Sequence, residues 1–306
     1  MTQTWLENIQ NGNIVIIDGG MGTELERRKV PMSDDAWSGA AMLEYSEIVR
    51  AAHEDYIRAG AEVIITNTFG TTRQMLEPAG YGADIVKINE RAVEVAKEAR
   101  DAVAESPLTI AGSISAMPPG FDRNAYQAPD VELESYRELA GILADGGVDL
   151  IALEMMQEDE HAPRAAQAAA ETGLPVWLGI SLKRDDDGKV VSHGTENLPL
   201  DTILDAMLPF DPAAVNIMHT RLDAVSEAIA TVRKRFQGPI GVYPESGYYQ
   251  KPGWQFVDVI TPDDLVTEFK TWVDEGARLV GGCCGTGPEH IRALKAAQSD
   301  LERLVS

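Results

Sequence analysis

Cys283 and Cys284 stand side by side in Gly281-Gly282-Cys283-Cys284-Gly285 and are the only cysteines of the chain. The flanking glycines permit a sharp turn and a close approach of backbone to a ligand. Neighbouring cysteines rarely join in a disulfide, because the required Cα separation and S–S torsion strain the intervening peptide. Both thiols are therefore available for other work, which fits a reducing cytosol. Two thiolates on one turn can bind a tetrahedral zinc at a Zn–S distance of about 2.3 Å. The alternative is two small packed residues, since free cysteine fills space well. Known zinc motifs usually place two to four residues between their cysteines.

Two further stretches carry acids. Asp18-Gly19-Gly20-Met21-Gly22-Thr23 is Gly-rich, but it lacks the Walker lysine and the full dinucleotide fingerprint. It reads either as a turn that offers N–H groups to a carboxylate or as a tight strand-to-loop turn. Glu154 ends the apolar run 150–153. A carboxylate there can take a substrate ammonium or a salt bridge from a neighbouring loop. Among the histidines, His53 falls in a helical stretch and reads as structural, while His161 and His290 lie at helix starts and read as surface residues. His193 follows a charged turn and carries little weight. Asp185-Asp186-Asp187-Gly188 lacks the ligand alternation and closing Glu of a calcium loop and reads as an exposed turn.

These residues need elements to bring them together. Short apolar runs cover 14–18, 62–66, 108–112, 148–153, 174–181, 213–217, 240–243 and 277–281. Longer amphipathic stretches lie between them. These cover 46–59, with Ser46 as a candidate cap, then 83–103, 131–145, 162–172, 199–207, 222–235 and 262–272. Pro288 opens a last helix, at a favoured first-turn position. The pattern predicts one α/β domain over residues 1–306, a single (β/α)8 TIM barrel. A doubly wound sheet is the competing arrangement. In a barrel the strand ends converge at one mouth, where active sites lie. The residues at those ends are Asp18-Gly19-Gly20, Thr66-Asn67-Thr68, Ser113, Glu154, Ser181, Asn216 with His219, Glu245, and Cys283-Cys284.

Composition narrows the partners. The net charge of −23 disfavours nucleic acid and anionic membrane surfaces. No apolar run is long enough to span a bilayer, and residues 1–13 lack the cationic start and apolar stretch of a secretory signal. A cytoplasmic protein is expected. Dimers are common among soluble enzymes, and the sequence leaves the oligomeric state open.

Taken together, these residues resemble the homocysteine S-methyltransferase family, which includes betaine–homocysteine and S-methylmethionine-dependent enzymes. The resemblance rests on Ile17-Asp18-Gly19-Gly20-Met21-Gly22-Thr23, on His53 and Tyr56 with Ala59-Gly60-Ala61, and on Thr66-Asn67-Thr68-Phe69. It continues through Ala111-Gly112-Ser113, Gly147-Val148-Asp149 with Glu154, and Tyr243-Pro244 with Ser246-Gly247. Its most specific piece is Gly281-Gly282-Cys283-Cys284-Gly285-Thr286. The resemblance implies a barrel that moves a methyl group from a small sulfonium or quaternary ammonium donor to a thiol, with homocysteine as the expected acceptor and methionine as product. It implies Zn2+ on Cys283 and Cys284, which keeps the acceptor thiol ionised near neutral pH. It makes Asp18 and the Gly19-Gly20 backbone part of the amino-acid site and gives the substrate ammonium to Glu154. Thr66, Asn67, Ser113 and Asn216 complete the expected substrate contacts. Trp177, Trp254, Tyr243, Tyr248 and Tyr249 include candidate donor-site aromatics, because onium methyl groups favour aromatic faces.

The chain also departs from the family. A third zinc cysteine usually follows the Asn of the sixth strand, and here Ile217 follows Asn216. The family's Tyr-Pro-Asn reads Tyr243-Pro244-Glu245, its Glu-Thr pair reads Glu154-Met155, and its Gly-Ser-x-Gly-Pro reads Gly112-Ser113-Ile114-Ser115-Ala116. One reading is a rebuilt zinc site of Cys283, Cys284 and Glu245, with His219 as a spare neutral donor. The other is a weakened or lost zinc site. The barrel would then be a lyase or demethylase acting on a methylated sulfur or nitrogen compound, with Glu245 or Glu154 as acid or base, or it would only bind such a compound.

Overall fold

The structure is a computed structural model that describes residues 4–118, 122–194, 196–251 and 253–305. The chain opens with α1 (Thr4–Gln10), β1 (Val15–Ile16), α2 (Met21–Arg27), α3 (Ala41–Glu44) and α4 (Ser46–Ala59). Next come β2 (Val63–Ile65), α5 (Arg73–Leu76), α6 (Ile85–Val103) and β3 (Thr109–Ser115). They are followed by α7 (Pro129–Gly146), β4 (Leu150–Met156), α8 (Ala162–Glu171) and β5 (Val176–Ile180). A hairpin of β6 (Leu182–Arg184) and β7 (Val190–Ser192) precedes α9 (Leu200–Met207), β8 (Ala214–Met218), α10 (Leu222–Arg235) and β9 (Ile240–Tyr243). A second hairpin, β10 (Tyr248–Gln250) and β11 (Gly253–Gln255), precedes α11 (Pro262–Asp274), β12 (Ala277–Val280) and α12 (Pro288–Glu302).

Eight strands pair in the order β1-β12-β9-β8-β5-β4-β3-β2. A parallel bridge between Ile17 and Val63 joins the two ends of that order, so the sheet closes on itself. The expected TIM barrel is therefore present, and the doubly wound alternative is excluded. Side chains alternate across each strand, which divides the core in two. Val15, Val63, Ala111, Ala152, Trp177 and Leu279 pack inside the barrel. Ile16, Ile64, Ile110, Ile151, Val215 and Ile217 belong to the cluster shared with the helices. Before β1, α1 places Trp5 in the inner cluster, where its ring meets Trp177 edge-on at 5.0 Å. That contact seals the barrel on the side of the strand starts. Trp177 is thus a core residue and leaves the group of candidate donor-site aromatics. Among the described residues, no helix is long and apolar enough to cross a membrane.

Several local readings change. Ser113 and Glu154 lie within β3 and β4, because both strands run two or more residues past their expected ends. Ser46 makes no side-chain cap at the start of α4. His290 is buried, accepting from the Gly287 N–H at 3.1 Å and placing Nε2 2.8 Å from the Ile260 carbonyl oxygen. His161 stacks on Tyr126 at 3.4 Å and meets the Glu132 carboxylate at 3.0 Å. Neither is a surface residue. The 185–188 segment forms the turn between β6 and β7, exposed over Asp186, Asp187 and Gly188 as expected.

His53, on α4, is fully buried, and neither ring nitrogen has a hydrogen-bond partner among the described residues. Burial holds it neutral and lowers its pKa to about 3. The unfolded chain binds this proton near the ordinary value of 6.5, so stability is lost as pH falls from there toward the folded value. Between pH 7.5 and pH 5, urea unfolding should show a loss about 2 kcal/mol smaller in His53→Leu than in the parent chain. Equal losses would rule out a neutral buried His53.

Candidate active site

The strand ends enclose a cavity of about 450 Å³. Its walls include Asp18, Gly19, Gly20, Thr66, Asn67 and Glu154, together with His219, Cys283 and Cys284. Ser113 and Asn216 do not line it. Ser113 stands behind Glu154, donating its hydroxyl to Oε2 at 2.5 Å. Asn216 is fully buried, and its amide has no hydrogen-bond partner among the described residues. Asn216, expected among the substrate contacts, is not on the cavity wall and sits between Gly179 and Gly241 of the flanking strands.

The cysteine turn follows β12 and is tied down on several sides. Cys283 N donates to the Pro244 carbonyl at 2.9 Å, and Ser246 N donates to the Cys284 carbonyl at 2.9 Å. Thr286 Oγ1 donates to the Cys283 carbonyl at 2.7 Å, and Arg27 donates to the Gly285 carbonyl at 2.6 Å. Gly285 has φ +85°, and a Cβ there would run into the Ser246 carbonyl. Glycine is thus required both by conformation and by space. A Cβ on Gly20 would lie 2.5 Å from the Cys283 carbonyl oxygen. The Gly-rich turn therefore exists to let the first and last strand ends approach. The Gly20 N–H is itself engaged with the Thr286 carbonyl at 3.3 Å.

The two sulfurs lie 4.0 Å apart, too far for a disulfide. Cys283 Sγ is 3.7 Å from His219 Nδ1, and His219 Nε2 is 3.0 Å from Glu245 Oε2. His219 follows β8 with φ +43° and donates its N–H to the Tyr243 carbonyl at 3.2 Å. Its ring packs against His193 at 5.2 Å and Trp254 at 6.0 Å. Sequence reasoning proposed Glu245 as a ligand beside the sulfurs and His219 as the spare. The structure puts His219 beside Cys283 and gives Glu245 the far side of the ring.

Electrostatics point the same way. Burial raises the Asp18 pKa well above the carboxylate range, and Glu154 and Cys283 nearby add to this. Burial also lifts Glu154 to about 7, with Cys283 adding to the shift. Burial opposes a charged His219, yet the Glu245 carboxylate and the Cys283 sulfur outweigh it and push the ring up to about 9. Cys283, hydrogen-bonded to Cys284 and His219, is held well below the thiol range, whereas Cys284 is raised by the same partner. The Asp18 and Glu154 carboxyls are thus costly to ionise without a partner, and an incoming cation would relieve that cost.

The donor atoms can be tested against a metal. Zinc bound tetrahedrally at the usual distances separates two sulfurs by about 3.8 Å, and a sulfur from a nitrogen by about 3.6 Å. The observed 4.0 Å and 3.7 Å are close to both. The ligand atoms of His219, Cys283 and Cys284 all lie within 4.8 Å of one another. The residues therefore fit a zinc ion.

Trp37, Tyr249 and Trp254 form an aromatic wall near the mouth, with Trp37 and Tyr249 edge-on at 5.6 Å. Tyr243 also lines the cavity, while Tyr248 does not. Sequence reasoning missed Trp37, Met117, Tyr126, Gln157 and Glu158 as lining residues. They come from loops and short turns that carry no periodicity. His193, given little weight, also reaches the wall.

Known proteins place the chain. The sequence model described as homocysteine S-methyltransferase matches residues 15–298. The homocysteine S-methyltransferase YbgG of Bacillus subtilis is 31% identical over 308 residues, covering 94% of this chain and 96% of the relative. A selenocysteine methyltransferase of Astragalus bisulcatus is 29% identical over 317 residues, covering 93% of this chain and 92% of its own. Among solved structures, the metallated form of the Escherichia coli homocysteine methyltransferase MmuM superposes with a TM-score of 0.76 at 27% identity, covering 95% of this chain and 99% of that one. Its oxidised form superposes with a TM-score of 0.78 at 29% identity over the same shares. The barrel, the paired thiols at its mouth and these similarities, which extend over nearly the whole length, establish that the chain belongs to the homocysteine S-methyltransferase family.

Proposed function

We propose that this enzyme transfers a methyl group from a small sulfonium or quaternary ammonium donor to the sulfur of homocysteine, giving methionine. The observation that carries the reading is the convergence of Cys283 and Cys284 with Asp18 and Glu154 on one cavity. When held by Cys283 and Cys284, zinc would supply the positive charge that keeps the acceptor thiol ionised near neutral pH.

The chain's own groups supply the rest. Glu154 would take the acceptor's ammonium, and the Ser113 hydroxyl at 2.5 Å fixes one of its oxygens so that the other faces the cavity. An ammonium arriving there relieves the cost of the buried carboxylate. Asp18, held at Oδ2 by the Ile65 N–H at 2.9 Å, would add a second negative partner. Asn67 is locked by Ser38, accepting from its hydroxyl at 2.7 Å and donating to its carbonyl at 2.9 Å, and so presents a fixed wall. The aromatic faces of Trp37 and Trp254 suit an onium methyl group.

In the transfer a new C–S bond forms to the acceptor sulfur while the methyl–onium bond breaks. The donor leaves as a neutral sulfide or tertiary amine, and the acceptor's thiol proton has already departed. A cation and an anion become two neutral species, so exclusion of water from the cavity favours the reaction. An enclosed wall of aromatic and aliphatic side chains provides that exclusion.

Glu154→Gln should raise the KM for homocysteine roughly 10–100-fold, the value of one charged hydrogen bond, with a smaller effect on kcat and unchanged zinc content. A KM left at the parent value would remove Glu154 from the ammonium site. Zinc analysis of anaerobically purified protein should give one equivalent, and the Cys283→Ser, Cys284→Ser double variant should give none. A metal-free parent enzyme with full turnover would instead favour the lyase or demethylase reading.

A further inference from the structure

Catalytic zinc sites commonly use three protein ligands and keep a fourth position open. Cys283 and Cys284 supply two. Ile217 supplies none, because its fully buried side chain belongs to the cluster shared with Val225 and Ala228 of α10. We propose that His219 Nδ1 is the third ligand, giving a two-sulfur, one-nitrogen zinc centre, and that Glu245 is the positioning residue that holds the ring by its far nitrogen. The inference rests on the methyltransferase reading and names the ligand set of that site.

Four observations carry it. First, the Nδ1–Sγ and Sγ–Sγ separations of 3.7 Å and 4.0 Å are close to the edges of a zinc tetrahedron. Second, Glu245 Oε2 lies 3.0 Å from Nε2. A carboxylate there accepts the Nε2 proton, so Nδ1 faces the sulfurs and would offer its lone pair once a metal displaced its proton. Metal-binding histidines generally donate their other nitrogen in this way. Third, the His219 backbone sits at φ +43°. A non-glycine residue in that region costs roughly 1–3 kcal/mol and persists where its surroundings demand it. Here the strained turn is what swings the ring from the end of β8 to the cysteine turn. Fourth, His193 and Trp254 pack against the ring and restrict its rotation.

A rival set shares the same ring. The ligand atoms of His193, His219 and Glu245 also lie within 4.8 Å of one another. An ion held there would leave both sulfurs unused. Two thiolates with one neutral imidazole carry two negative charges, enough to balance Zn2+ and still leave a position for an anionic acceptor sulfur. The rival set, two imidazoles and one carboxylate that could also hold zinc, carries one.

The test uses the whole chain, purified without oxygen and loaded with zinc or cobalt(II). Chelator competition gives affinities for the parent, His219→Ala, Glu245→Gln and His193→Phe proteins. Circular dichroism checks their folding. Glu245→Gln should weaken binding about 10–100-fold, His219→Ala should weaken it further, and His193→Phe should leave it unchanged. A second readout needs no variant. The cobalt form of the parent chain should show sulfur-to-cobalt charge transfer and one hyperfine-shifted, exchangeable imidazole proton, that on Nε2. Unchanged affinity in His219→Ala, with binding still abolished in the double cysteine variant, would overturn the inference and leave the methyltransferase reading standing. Loss of metal in His193→Phe without sulfur charge transfer in the parent would assign the ion to the rival set and overturn it. A parent chain that takes up no metal would overturn the inference together with the zinc part of the reading beneath it.

Discussion

The contact on which the site depends is the line from Glu245 through the His219 ring to Cys283. It joins a carboxylate, an imidazole and a thiol that come from three different strand ends, and each is costly to bury alone. Together they stabilise one another, because the ring sits between two anionic partners at 3.0 Å and 3.7 Å. Asp18, beside the cysteine turn, and Glu154, toward the end of β4, face the same space. The result is a basin of negative potential with an ordered basic group on one wall. A metal cation, an ammonium and an onium methyl group are all cations or cation-derived, so on the proposed reading one electrostatic design would serve three tasks.

The barrel makes this arrangement affordable. Closure by the Ile17–Val63 bridge brings the first and last strand ends within contact distance. The Asp18 turn and the cysteine turn are then neighbours, although Asp18 and Cys283 lie at nearly opposite ends of the sequence. Glycine at position 20 removes the side chain that would hold these two turns apart, and glycine at 285 does the same between the cysteine turn and the Ser246 turn. Backbone hydrogen bonds from Cys283 to Pro244 and from Ser246 to Cys284 fix the sulfurs against the turn that carries Glu245. The site is thus built mainly from main-chain contacts, and these leave its side chains free for chemistry.

Much of this was legible in the sequence, for reasons that can be named. Alternating apolar runs reveal strands because one residue in two must face each side of a barrel wall. Glu154 stood out because a charged group at the end of such a run is rarely a packing residue, and the cysteine pair stood out through its flanking glycines and its match to a family motif. What stayed hidden depended on direction in space. Ile217 and His219 are two positions apart, and an ideal strand would send both outward. The positive φ of His219 reverses that, and nothing in a histidine announces it. Glu245 carried the right chemistry, but its partner could be identified only once β8 and β9 were seen side by side. Asn216 looked like a substrate residue until its depth was known. Trp37, Tyr126 and Gln157 lie on irregular segments, where no period marks a residue as inward.

The indole pair of Trp5 and Trp177 has a kinetic meaning. It stoppers the barrel at the strand starts, so traffic passes through the aromatic mouth beside Trp37 and Tyr249. If the acceptor lies between Glu154 and the sulfurs, as proposed, it would enter before the donor, and its methylated product would depart only after the spent donor had cleared the doorway. Such a dead-end chamber imposes a queue: first in, last out.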